Sequence, residues 1–124
     1  MADQLAILIW AALPECPELV VTPLVHALAT RALDAEVEIH FAGPAIRWLV
    51  DGVADQQYAT AAREKSIGDF LRELQQGGVT LYACGMAQAQ WLAAGESLLP
   101  GCRHAGATAF VVHALDPEWR TLIY

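Results

Sequence analysis

The chain has 124 residues, a formal net charge of −7 at pH 7, and a composition 56% hydrophobic against only 17% charged. It has no basic patch and no run of Lys or Arg, which argues against nucleic acid and anionic membranes as partners. Its longest apolar runs fall far short of a membrane span, and the opening MADQLAILIWAAL lacks the basic region of a secretory signal. The length predicts a single domain over residues 1–124 with a real core. The apolar excess suits a covered sheet, or a subunit that hides surface in an oligomer. Three cysteines, Cys16, Cys84 and Cys102, form an odd set with no C-x-x-C. Neither a disulfide framework nor a zinc site follows, and a reducing cytoplasm fits best.

In chain order, residues 5–12 (LAILIWAA) are apolar on both faces and predict a strand in the middle of a covered sheet. Residues 13–21, with Pro14, Cys16 and Pro17, read as the loop leaving it. Thr22-Pro23 has the form of an N-cap followed by proline at the first helical position. Leu24, Val25, Leu28, Ala29 and Ala32 keep helical spacing, so a helix is predicted over 23–33. His26 lies among them as a packed or interface histidine. Residues 37–41 alternate, with Val37, Ile39 and Phe41 on one face and Glu38 and His40 on the other. That pattern predicts a half-exposed strand near an edge or facing another subunit.

Gly43-Pro44 then turns the chain into a short helix over 45–50. Residues 51–65 have no strong period and read as a loop over the carboxyl rim of the sheet, where long loops are often functional. Ser66-Ile67-Gly68-Asp69 resembles a capping box with Asp in place of Glu. Ile67, Phe70, Leu71 and Leu74 fall at i, i+3, i+4 and i+7, and Gly77-Gly78 supplies a C-cap. A strand over 79–83 and a helix over 86–94 follow. The connection 95–106 holds a short strand around 98–102. Cys102 and His104 have a ligand-like spacing, but two ligands do not make a metal site. Residues 107–115 are ambiguous between strand and helix, and 119–123 predict a last short strand. The alternation predicts a three-layer α/β/α sandwich with a mainly parallel five-stranded sheet.

Cys84 is the chemical candidate. It sits where a strand hands over to a helix, at the rim where ligands collect in open parallel sheets. The helix beginning at Met86 presents free N–H groups and the positive end of its dipole, which favours a thiolate, the nucleophilic form. Gly85 lets the chain turn and keeps the backbone open to a ligand. Against this stands the ordinary role of cysteine as a small buried hydrophobe. Cys16 leaves the first strand at the same rim and is a candidate resolving cysteine. No Asp or His in fixed spacing beside Cys84 marks an acid–base partner.

The segment SIGDFLRELQQGGVTLYACGMAQAQWL and the tail LLPGCRHAGATAFVVHALDPEWRTLIY resemble the DsrE/DsrF-like family of small proteins, which includes the TusD-type sulfur relay. A Ser-led amphipathic helix, a Gly-Val turn, a strand and an "aCg" element arrive in the family's order. The resemblance assigns residues 107–115 to a helix. It implies a persulfide carrier with Cys84 as its sulfur-bearing cysteine, no cofactor, sulfur donor and acceptor proteins as partners, and a homotrimer or hexamer. One departure is Gly43-Pro44-Ala45-Ile46, where many relatives carry an acidic-Gly-Val element; here Asp51-Gly52-Val53 comes later. A non-enzymatic oligomeric scaffold and a thiol redox sensor are the competing functions.

Overall fold

A computed structural model describes residues 3–124, so Met1 and Ala2 of the N-terminal stretch read for targeting lie outside the described residues. The elements run β1 (Gln4–Ile9), α1 (Glu18–Ala32), β2 (Glu36–Phe41), a 3₁₀ segment Gly43–Leu49, a 3₁₀ turn Ala54–Gln56, α2 (Ile67–Gln76), β3 (Thr80–Cys84), α3 (Gly85–Trp91), β4 (Arg103–Ala105), α4 (Ala107–Ala114) and β5 (Arg120–Ile123). The five strands form one sheet in the order β4-β3-β2-β1-β5, and every pairing is parallel. Three successive steps from β1 to β4 go one way across the sheet. The connection through α4 then crosses back to the opposite edge. With right-handed crossovers, that reversal puts α4 alone on the second face. Among the described residues no helix is long and apolar enough to cross a membrane.

One face is a close-packed aliphatic core. Ile7, Ile39, Phe41 and Leu81 meet Val20 and Leu24 of α1 and Leu71 and Leu74 of α2, all fully buried. Trp48 is buried there too, and its indole N–H donates to the Ala12 carbonyl at 2.8 Å. The capping box that opens α2 is formed: the Asp69 N–H donates to the Ser66 hydroxyl at 3.0 Å, and the Ser66 N–H donates back to the Asp69 carboxylate. Arg72 donates to the same carboxylate; that bond, with the capping contacts, holds the Asp69 carboxyl below its usual range. At the other end of α2, Gly78 takes a left-handed φ of 90°. The Val79 N–H then reaches the Leu74 carbonyl and the Gly78 N–H the Gln75 carbonyl, closing a Schellman motif.

The structure corrects several expectations from sequence. The first helix begins at Glu18, not Pro23, and Thr22-Pro23 is no cap: Pro23 lies buried inside the helix. Burial of Val20 against the sheet outweighs the hydrogen bond that proline cannot make. The strand expected near an edge, β2, is the central strand, and Glu38 and His40 are buried along with its apolar residues. The fourth strand is Arg103–Ala105; Leu98 makes only an isolated bridge to Val50. The loop 51–65 packs on the start of α2, where Asp55 pairs with Arg72 at 2.7 Å. A Cβ at Gly68 would run into the Asp55 carboxylate, so a larger residue there would push that side chain away from Arg72.

Candidate functional site

Cys84 is the last residue of β3 and the N-cap of α3, and its side chain makes no capping hydrogen bond. The strand-to-helix handover read from the sequence is therefore present at Cys84, with the strand ending one residue later and the helix starting one residue earlier than predicted. Gln88, one turn into α3, fixes this corner. Its amide donates to the Ala83 carbonyl at 3.3 Å and to Nδ1 of His104 on β4 at 2.7 Å. Gly85 takes no left-handed conformation, and a Cβ there would meet open space. The turn does not require glycine.

Cys84 opens on a cavity of about 190 Å³ between the carboxyl ends of the inner strands and the first turns of α4. Leu8, Gly106, Phe110 and Val111 wall it, and His40 joins Cys84 as its other polar side chain. No residue of the 51–65 loop lines this cavity.

His40 belongs to a buried polar network that the sequence did not reveal. Its Nε2 lies 2.8 Å from Oε1 of Glu38. Nε2 of His113, on α4, lies 2.9 Å from the same oxygen. Glu38 is 9% and His40 6% exposed. The His40 ring stacks on Tyr82 of β3 at 4.8 Å and meets the edge of Phe110 at 5.5 Å. His113 stacks on Trp119 at 3.7 Å. A carboxylate removed from water needs donors, and here two imidazoles supply them. The one available signal was the Glu38/His40 alternation, which placed both on one face but could not say that α4 covers it.

The remaining candidates are not brought to this cavity. Cys16 is exposed in the loop before α1, and Met86 is 83% exposed on α3; neither lines the cavity. Cys102 packs against the core, and burial pushes its thiol up to about 11. His104 is taken up by Gln88. Among the described residues no group of three or more His, Cys, Asp or Glu is placed to hold a metal. His26 is exposed rather than packed, and its Nδ1 bonds the Tyr124 hydroxyl.

The all-parallel five-stranded sheet with helices on both faces defines the class, a three-layer α/β/α sandwich. The profile of the DsrE/DsrF-like family matches residues 8–122. The chain belongs to the DsrE/DsrF-like family. Among solved structures it is similar to the ychN protein from E. coli, with a TM-score of 0.74, 15% identity and 98% of each chain covered. It is also similar to MTH1491 from Methanobacterium thermoautotrophicum, a protein of unknown function, with a TM-score of 0.66, 14% identity and 98% of each chain covered. At such identities these likenesses speak for the fold. No protein among the curated sequences matches.

Proposed function

We propose that this chain is a persulfide carrier of a sulfur relay, a single cytoplasmic domain that takes a sulfur atom on Cys84 from a donor protein and passes it to an acceptor. One observation carries the reading: the Cys84 thiol, free of any cap role, opens on a small cavity at the carboxyl rim of the sheet. Such a pocket shields a bound outer sulfur from water and stray thiols while leaving the attacking sulfur reachable. Family membership supports the same chemistry, and the transfer needs no resident cofactor. Gly85 places no side chain next to Cys84, and Met86 stands exposed beyond it as a contact for a partner protein.

Val111 and Val112 of α4, Leu115 at its C-cap, and Ile123 of β5, whose register places it on the α4 face, are large apolar residues left exposed. They support a homotrimer or hexamer. Val111 belongs both to this strip and to the cavity wall, so a second copy seated here would help wall the site. Light scattering of the purified chain should give a multiple of 13.4 kDa.

The test is mass spectrometry after incubation with a persulfide donor. One added sulfur is expected on Cys84, and Cys84→Ser should abolish it while leaving the circular dichroism spectrum unchanged. Limiting iodoacetamide at neutral pH should label Cys84 ahead of Cys16 and Cys102. Sulfur loading that survives Cys84→Ser would sink the reading. The apolar strip favours a second reading, an oligomeric scaffold with an inert Cys84. It takes the lead if the assembled protein carries no sulfur and Cys84 stays unlabelled.

A further inference from the structure

The cavity at Cys84 has one other polar side chain, and that side chain is held from behind. We propose that His40 is the proton acceptor for Cys84, that Glu38 is the positioning residue that sets its tautomer, and that the cavity takes sulfur from a persulfide rather than from an anionic sulfur oxyacid. The proposal rests on the persulfide reading for its substrate, but its proton-transfer part is tested without any sulfur donor.

His40 pairs in register with Tyr82, so Cys84, two residues further along β3, is its diagonal neighbour on the same face. With neighbouring strands about 4.8 Å apart and a rise of about 3.3 Å per residue, such diagonal neighbours lie about 8 Å apart at Cα. Both side chains line the same cavity, so a water or a bound sulfur held in it can bridge thiol and imidazole, the reach required of a general base. Glu38 accepts the Nε2 proton of His40, which leaves Nδ1 as the basic nitrogen. His113 donates its own Nε2 proton to the same Glu38 oxygen and fixes the carboxylate from the α4 side. The groups facing His40 are thus Glu38 on its own strand, Tyr82 and Cys84 on β3, and Phe110 with His113 behind it on α4.

The step balances within the site. His40 Nδ1 takes the proton of the Cys84 thiol. The thiolate attacks the outer sulfur of the donor R–S–SH, forming a new S–S bond as the donor's own S–S bond breaks. The leaving thiolate takes the proton back from His40, so Cys84–SH and R–S–SH become Cys84–S–SH and R–SH. The rest of the wall, including Leu8, Phe110 and Val111, is apolar. A thiosulfate dianion would have to lose its water against that wall with a single imidazole in return, whereas the compact –S–SH group does not.

The experiment reads the iodoacetamide alkylation rate of Cys84 in the intact protein by peptide mass spectrometry, from about pH 6 to about pH 9, with exposed Cys16 as the internal control. His40→Gln should slow Cys84 at neutral pH by at least about tenfold and move its pH profile upward, with Cys16 unchanged. Glu38→Gln should move it the same way by less, and added imidazole should restore the rate in His40→Ala. These two variants carry the test if His40→Gln does not fold. A folded His40→Gln protein with the parental rate and profile at Cys84 overturns the assignment. A second arm loads sulfur from glutathione persulfide and from thiosulfate. His40-dependent alkylation with no sulfur loaded from either donor leaves the base in place and removes the persulfide reading. Loading at the parental rate in His40→Gln does the reverse. Thiosulfate that loads as fast as the persulfide overturns the substrate class.

Discussion

The central strand β2 serves two regions that differ in kind. Val37, Ile39 and Phe41 point to the side of α1 and α2 and enter a continuous aliphatic core. Glu38 and His40 point to the side of α4, where they meet His113, Tyr82 and Phe110. Glu38 and His40 are nearly as buried as the aliphatic residues of the same strand, so burial of these side chains does not distinguish the two faces. What differs is the kind of interaction that burial permits. The helical side gains from area and shape, which are non-directional and tolerate small changes. The α4 side rests on directed bonds converging on one carboxylate oxygen, which tolerate none, because an imidazole left unpaired in a dry site keeps its full desolvation penalty. The small cavity and Cys84 lie at the end of this second region. The fold thus keeps the bulk of its packing on one face and its reactive groups on the other.

The contrast can be broken by substitution. The largest effect is expected on the helical side: Trp48→Ala removes a fully buried indole and its bond to Ala12, and should cost about 3–5 kcal/mol in urea unfolding. Next comes Glu38→Leu, which fills much the same space but strands the Nε2–H groups of both histidines, and should cost about 1–3 kcal/mol. Its neighbour Ile39→Val, facing the other way, should cost only about 0.5–1.5 kcal/mol by the same measurement. Equal tolerance at positions 38 and 39 would show that the polar network contributes nothing beyond its volume.

The smallest effect sharpens the comparison among the thiols. Burial holds the Cys102 thiol up at about 11, whereas an unfolded-chain cysteine titrates near about 8.5. Between those values the folded protein keeps the proton that the unfolded chain has lost. Stability from this group is therefore complete below about pH 8.5 and is lost as pH rises toward 11. Cys102→Ala should flatten that alkaline decline in the urea midpoint. In the parent protein Cys102 should also be the slowest thiol to alkylate.

Features set by local pattern and local chemistry are legible in the amino-acid sequence. The Ser66/Asp69 capping box, the 3.6-residue period of α2, the Gly77-Gly78 stop and the apolar run of β3 are each readable within a dozen residues. Together they place Cys84 at a strand-to-helix handover. The β-α alternation then leaves few parallel topologies to choose from. Position 107–115 was already beyond periodicity, since its β-branched residues suit either structure and only the family resemblance made it a helix.

Tertiary structure decided what depends on which element covers which. Alternation in β2 put Glu38 and His40 on one face, and the usual meaning of such alternation is solvent. Only the return of the chain through α4, more than sixty residues later, turned that face into an interior and set His40 beside the cavity of Cys84. The early start of α1 has the same cause, since Val20 is drawn into the helix by burial against a sheet that local propensity does not register. Periodicity specifies the side on which a residue lies; what waits on that side is set by contacts distant in sequence.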